Sequence, residues 1–169
     1  MLSIAITNQK GGVGKTTTCV NLSAELGRLG YSVLAVDMDP QGNCTSGLGI
    51  EARAIEVSLY DVLLGGASAQ DALIATSWQG VSLLPATIDL AGAEVELASV
   101  ISRETCLRRH MANLNQFDVA IIDCPPSLGL LTINALVAAH KLVVPIQCEY
   151  YALEGVGQLA HTIGLVRLS

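Results

Sequence analysis

Lys10-Gly11-Gly12-Val13-Gly14-Lys15-Thr16-Thr17 is the stretch whose reading decides the fold. It follows an apolar run, Leu2 to Thr7, that reads as a buried parallel strand, and precedes a segment, Thr16 to Leu29, that reads as a helix. Strand, glycine-rich turn, Gly-Lys-Thr and helix, in that order, form the context a phosphate-binding loop requires. Glycines let the backbone curl so that successive N–H groups point at phosphate oxygens, and the helix adds its positive dipole end. On this reading Gly11, Gly12, Val13, Gly14, Lys15, Thr16 and Thr17 bind the phosphates of a nucleotide. Lys15 supplies a point charge to the β- and γ-phosphates, and the Thr16 hydroxyl is placed for Mg2+. The general pattern G-x-x-x-x-G-K-[ST] asks for glycine where this chain has Gln9. The loop therefore departs from that pattern and carries a second lysine, Lys10, at its start.

A second signal lies downstream. Phe117 to Asp123 reads as a buried strand ending in a carboxylate. Such a strand end holds Mg2+ beside the phosphates, directly or through water. Cys124-Pro125-Pro126-Ser127-Leu128-Gly129 follows as a stiff loop, where a second switch sensing the γ-phosphate belongs. Between the two signals, Tyr31 to Val36 reads as a strand delivering Asp37, Asp39, Pro40, Gln41, Gly42 and Asn43 at its C-terminal end. Ligands bind at that end of a parallel sheet. The two aspartates face magnesium or a water, or else are solvated residues of an ordinary turn. Pro40 and Gly42 break the strand and make the segment a mobile switch.

The remaining segments fill in the alternation. Gly30 caps the first helix, whose inward face is read as Val20, Ala24 and Leu26 or Leu29. Gly47 to Arg53 reads as loop, Ser58 caps a short helix over Leu59 to Leu64, and Ala69 to Ala75 reads as another short helix. Val81 to Leu84 is a strand, and Asp89 opens a helix containing Leu90, Ala93, Val95, Leu97 and Ala98. Arg103 to Leu114 is a helix with Leu107, Met111 and Leu114 inward. Its Arg103, Arg108, Arg109 and His110 form the one basic cluster, read as a solvated face rather than a nucleic-acid or partner contact. Gly129 to Ala139 is helical, Lys141 to Ile146 is a fifth strand, and Tyr150 to Leu168 is a last amphipathic helix. The fold class expected is α/β: a mostly parallel twisted sheet with helices on both faces, as one P-loop domain over 1–169.

Composition agrees. The 169 residues are rich in aliphatics and only 4% aromatic, as covered parallel sheets tend to be. A net charge of −6 makes the chain a poor nonspecific binder of nucleic acid through its long-range field. Five cysteines without C-x-x-C spacing suggest neither a zinc site nor a disulfide framework. With no signal peptide and no apolar run of membrane-spanning length, the expectation is a cytoplasmic protein with no membrane partner.

Together these residues resemble the ParA/Soj family of chromosome- and plasmid-partitioning ATPases, relatives of MinD and the nitrogenase iron protein, with their deviant Walker A loop. The matching pieces are Lys10 to Thr17, Val36 to Asn43, Phe117 to Gly129 and Val144 to Gly155, in family order and spacing. The resemblance implies binding of ATP and Mg2+, a nucleotide-sandwich homodimer formed on ATP binding, and slow ATP hydrolysis stimulated by a ParB-type partner. It implies Lys10 as a catalytic lysine reaching across to the partner's phosphates, alongside Lys15. It implies Asp39 as the residue positioning the attacking water and a second candidate for the metal, and Asp123 as holding Mg2+ through water beside Thr16.

Family members also coat DNA without sequence preference, which would place the protein on the nucleoid. They are longer than this chain by roughly half its length again, within the usual domain range. The strands and helices expected beyond Ser169 carry the adenine-reading loop and the DNA-contacting surface, so the sheet is expected to be incomplete on its C-terminal side. Two alternatives stay open. One is a shortened, non-hydrolysing module that holds nucleotide or a protein partner. The other is a MinD-like ATPase, which would need a Lys- or Arg-rich last helix where only Arg167 stands.

Overall fold

The computed structural model describes residues 1–148, 157 and 161–164. Its centre is a set of short aliphatic runs that pair in parallel. They are β1 (Leu2–Ile6), β2 (Val33–Asp37), β4 (Val81–Leu84), β5 (Val119–Asp123) and β6 (Lys141–Val143), with a two-residue β3 (Ile74–Ala75) added antiparallel at one edge. The order across the sheet is β3-β4-β2-β5-β1-β6. Because side chains alternate along a strand, each central strand feeds two cores. Ala5, Leu34, Val36, Ala120 and Ile122 face one side, and Ile6, Val33, Ala35 and Ile121 face the other.

The helices are α1 (Lys15–Arg28), α2 (Asn43–Gly47), α3 (Leu59–Leu63), α4 (Leu90–Leu97), α5 (Cys106–Met111) and α6 (Leu130–Ala138). α1 and α2 cover the Ile121 side, where the Cys44 thiol contacts the Cys19 sulfur at 3.6 Å. α3 to α6 cover the Ile122 side. Register puts Ile6, Asp37 and Asp123 at one level, so the three ligand-side loops leave the sheet together.

Local chemistry explains where the elements stop. α1 ends in a Schellman motif: the Tyr31 N–H donates to the Leu26 carbonyl and the Gly30 N–H to Gly27, with Gly30 at φ 92°. α3 begins with a capping box in which the Asp61 carboxylate accepts from the Ser58 N–H and hydroxyl at 2.8 and 3.0 Å.

Several expectations are corrected. The inward face of α1 is Cys19, Ser23 and Gly27, with Val20 and Leu26 half-buried at its flanks and Leu29 64% exposed. Small residues are selected because the helix lies close against the strand edge: a Cβ at Gly27 would collide with the Gln79 carbonyl. The segment 69–75 is not a helix. One turn at Ser68 to Ala72, fastened by the Ser68 hydroxyl on Asp71, gives way to β3, where β-branched Ile74 pairs with Leu83. The sheet therefore has six strands, and β6 is the sixth rather than the fifth. β6 ends at Val143, two residues before Pro145, which has no N–H to continue the ladder.

Asn43–Gly47 forms α2, which reaches the first residue of the loop expected from Gly47 to Arg53, and the end of that loop enters a 3-10 turn, Ala52–Ala54. The helix expected from Arg103 to Leu114 is a 3-10 turn, Arg103–Thr105, running into α5; Leu107, Met111 and Leu114 are buried as expected. In α4, Leu90, Ala93 and Leu97 are buried and Val95 is 78% exposed. The expected helix from Tyr150 to Leu168 lies outside the described residues except at 157 and 161–164, which are helical.

Gly27→Ala tests the close approach of α1. On an open helix face the change would add about 1 kcal/mol of stability. Here overpacking against Gln79 should instead cost roughly 1–3 kcal/mol, read as a lower urea midpoint at unchanged slope. A midpoint at or above wild type would show that α1 is not constrained there.

Candidate phosphate and magnesium site

The site grows from the three strand ends. Past Ile6 the chain is anchored on both sides, the Thr7 N–H donating to the Val143 carbonyl and the Cys124 N–H to the Ile6 carbonyl. Asn8 then fixes the start of the loop. Its Oδ1 accepts the Lys10 N–H at 3.0 Å and its Nδ2 donates to the Pro145 carbonyl at 2.7 Å. Gln147 Nε2 donates to the Gly12 carbonyl at 3.3 Å from the same β6-side segment.

Gly12 and Gly14 take φ 74° and 92°, which L side chains rarely adopt, and Gly14 leads directly into α1. A Cβ built on Gly11, Gly12 or Gly14 meets nothing within 4 Å. The glycines therefore border open space, a cleft of about 350 Å3 at the N-terminus of a 14-residue helix. Backbone amides and the helix dipole make such a place attractive to phosphate.

At its foot lies Lys15, only 7% exposed, whose Nζ donates to the Lys10 carbonyl at 3.1 Å. Burial holds its pKa below the ordinary lysine value, while Asp123, Asp39 and Cys124 pull the other way. Asp123 is fully buried, and neither carboxylate oxygen has a hydrogen-bond partner. The Thr16 hydroxyl stands close enough to draw its pKa down but does not complete a hydrogen bond. Burial, reinforced by Asp37 and Asp39, pushes the carboxyl up to about 7 against Thr16 and Lys15.

Asp37 has a different environment. Its oxygens accept from the Asp39 N–H at 3.1 Å, the Thr45 N–H at 2.8 Å and the Thr45 hydroxyl at 2.7 Å. That carboxylate closes the β2–α2 turn, although burial still lifts it to about 6. Asp39, 9% exposed, faces the cleft and accepts the Gln41 N–H at 3.0 Å.

Gly11, Gly12, Gly14, Lys15, Thr16, Thr17 and Asp39 thus line one cleft. Val13 is buried beneath the loop, and Asp123 sits behind the wall, coupled to Lys15 and Thr16. Lys10 is half-buried and does not line the cleft, though its carbonyl receives Lys15. Gln41 and Asn43, read as delivered to the ligand end of β2, and Pro126, read as part of a γ-phosphate-sensing loop, also line the cleft, although no individual role was read for them; Asn8 and Thr45 were missed as fasteners. Asn8 had a signal in its position directly before the loop. Thr45, eight residues past its partner Asp37, had none.

These residues fit a magnesium–phosphate pair. Among the described residues, no group of three or more His, Cys, Asp or Glu side chains could hold a metal ion. Mg2+ is ordinarily bound by one or two protein oxygens plus water and phosphate. The orphaned Asp123 oxygens beside the Thr16 hydroxyl supply that kind of donor set. No helix among the described residues is long and apolar enough to cross a membrane.

A family model described as an AAA domain matches residues 1–169. The chain is 59% identical over 165 residues to the sporulation initiation inhibitor protein Soj of Bacillus subtilis, covering 97% of this chain and 65% of Soj. It is 54% identical over 165 residues to the chromosome partitioning protein ParA of Myxococcus xanthus, covering 97% and 58%. A solved structure of cobyrinic acid a,c-diamide synthase from Mycobacterium smegmatis, with bound ATP analog and magnesium, superposes with a TM-score of 0.95. It shares 50% identity and covers 99% of this chain and 69% of that one. The chain therefore spans about three-fifths of the length of these two curated relatives.

The raised carboxyls set a pH dependence. Folded Asp37 and Asp123 keep protons to about 6 and about 7, whereas the ordinary carboxyl releases them near 3.8. The folded state binds more protons in that window, so stability falls as pH rises from about 4 to about 7. Asp123→Asn should flatten the slope and make the nucleotide-free chain more stable than wild type at pH 8, by roughly 1–3 kcal/mol. Urea unfolding at pH 4.5 and pH 8 checks this. Equal slopes for the two proteins would mean Asp123 is ionised at no cost.

Proposed function

The chain belongs to the AAA domain family in its ParA/Soj branch, and from that membership and the site's geometry we propose that it is a Mg-ATP-dependent, dimerising ATPase switch for chromosome or plasmid partitioning. One observation carries the reading: a buried lysine and an orphaned buried carboxylate stand together behind an open, glycine-bordered cleft at a helix N-terminus. Cost on this scale is tolerated where a ligand later relieves it.

Bound Mg2+ would neutralise charge building on the transferring phosphoryl group. The chain's own residues do the rest. The amides of Gly11 to Thr16 and the Lys15 ammonium hold the phosphates, and Lys15 is already confined to one position by the Lys10 carbonyl. Thr16 and, through water, Asp123 would hold the metal. Asp39 faces the cleft from the β2–α2 turn and orients the attacking water. Its main chain is pinned by Asp37 and its carboxylate by the Gln41 amide, which limits the freedom lost on reaction. Lys10 stands outside the cleft in its own protomer, which suits a lysine that serves the phosphates of a second copy, as an arginine finger does.

A ParB-type partner stimulates turnover in this reading, and the protein works in the cytoplasm or on the nucleoid. With a net charge of −6 the residues here do not themselves account for DNA coating. Partitioning is favoured over ligase chemistry of the cobyrinate type by the two curated relatives, at 59% and 54% identity.

ATP binding and phosphate release by the purified chain test the proposal. Lys15→Ala should weaken ATP binding by about tenfold or more, a loss of about 1.4 kcal/mol or more. Lys10→Ala and Asp39→Ala should keep binding and lose turnover by about 100-fold, the scale of one lost transition-state contact. Wild type that binds ATP but never releases phosphate, with or without a partner, would leave the non-hydrolysing module in its place.

A further inference from the structure

At the opposite end of the sheet a cavity of about 230 Å3 opens between the start of β1 and the C-terminal ends of α5 and α6. Ser3, on its wall, is three residues before Ile6, about 10 Å along the strand from the end that leads to the phosphate loop. The cavity has an apolar part, contributed by Met111 and Leu114, both nearly fully buried. Its polar side chains are Arg108, Asn115, His140 and Ser3, whose hydroxyl is engaged with the Ala138 carbonyl.

His140 is tied to Ser3 through its ring. Its Nδ1 lies 3.1 Å from the Ser3 N and 2.6 Å from the Ser3 hydroxyl oxygen, which donates to the Ala138 carbonyl at 2.6 Å, and which ring nitrogen carries the proton follows the tautomer. The His140 N–H in turn donates to the Ser3 carbonyl at 2.8 Å, so the residue is held in place by backbone. Arg108 and Asn115 use no side-chain atom in any hydrogen bond or ion pair among the described residues. Guanidinium and imidazole N–H are donors only, and the side-chain amide adds two more. The polar lining is therefore rich in donors beside a buried apolar wall, and it carries positive charge in a chain of net charge −6.

We infer that this cavity is a second ligand site that takes a small amphipathic carboxylate, its anionic head on Arg108 with Asn115 and His140 and its short apolar tail against Met111 and Leu114. A carboxylate is acceptor-only and matches the guanidinium fork in a paired arrangement. The volume holds about seven or eight water-sized groups, which limits the ligand to a short chain. Occupancy would join β1, α5 and α6 on the side of the sheet away from the phosphate loop. The site is independent of the ATPase reading.

The test uses hexanoate as probe on the full chain, followed by amide-resolved NMR. Saturable shifts are expected at Ala112, Asn115 and His140, with half-saturation in the low millimolar range or tighter. Hexanamide and 1-hexanol should bind at least tenfold more weakly, and acetate, lacking the tail, likewise. Arg108→Gln, at an exposed helix position, should lose hexanoate binding at least tenfold, while Lys15→Ala should leave it unchanged. Linear, non-saturating shifts, equal binding of hexanamide, or wild-type affinity in Arg108→Gln would each overturn the inference. Loss in Lys15→Ala alone would place the anion in the phosphate loop instead and overturn it too.

Discussion

A buried carboxylate with no hydrogen-bond partner is the constraint around which this fold is arranged. Asp123 ends the central strand of the sheet, at zero exposure, among two further aspartates. An isolated charge there would be prohibitive, and the group responds by holding its proton to about pH 7. The opposite charge that relieves it in part is Lys15, itself buried and itself shifted in the direction of neutrality. Each is tolerable only because the other is present. Both become more favourable when phosphate and a divalent cation supply the missing partners. The chain thus carries a local destabilisation that the proposed ligand would remove, which would couple occupancy to stability.

The rest of the sheet serves to hold that pair in register. β5 lies between β1 and β2, so one strand brings the glycine loop and the other brings Asp37 and Asp39 to the level of Asp123. Period-two alternation then assigns Ile121 to the core under α1 and Ile122 to the core under α4 to α6. A one-residue slip of β5 would exchange the two faces and expel the carboxylate from its level. The close seat of α1, allowed by Gly27, keeps Lys15 at a fixed height above the strands.

Much of this was legible in the sequence because the signals were local. The loop, the strand ending in Asp123 and the Asp37–Asp39 pair each declare themselves within about eight residues, and their order supplied the parallel sheet. What stayed hidden depended on neighbours distant in sequence. The inward face of α1 was read from hydrophobicity as Val20, Ala24 and Leu26, but proximity to Gln79 selects Cys19, Ser23 and Gly27. Segment 69–75 has the composition of a helix and becomes an edge strand because β4 offers it a partner. Asp37 and Asp39 look equivalent by spacing alone, and only the family resemblance singled out Asp39. In the structure Thr45, eight residues on from Asp37, marks the carboxylate that fastens a turn, while Asp39 faces the cleft.

The loop that follows Asp123 shows how far the constraint reaches. Its first residue, Cys124, is bonded through its N–H to Ile6, and its far end is bound to α4 and α6. The Thr132 hydroxyl donates to the Ser127 carbonyl at 2.6 Å, and the Leu131 N–H approaches the Glu94 carboxylate at 3.5 Å. That acidic group sits where the dipole at the start of α6 favours it, and its carboxylate lies in the space a Cβ at residue 129 would enter. Two prolines stiffen the span between these anchors. The loop thus ties the strand end that carries Asp123 to α6 and, through Glu94, to α4, the helices that cover the Ile122 core. The same connection holds the orphaned carboxylate at the level of Ile6 and Asp37, because β5 cannot shift along its neighbours without pulling on the loop fastened at both ends.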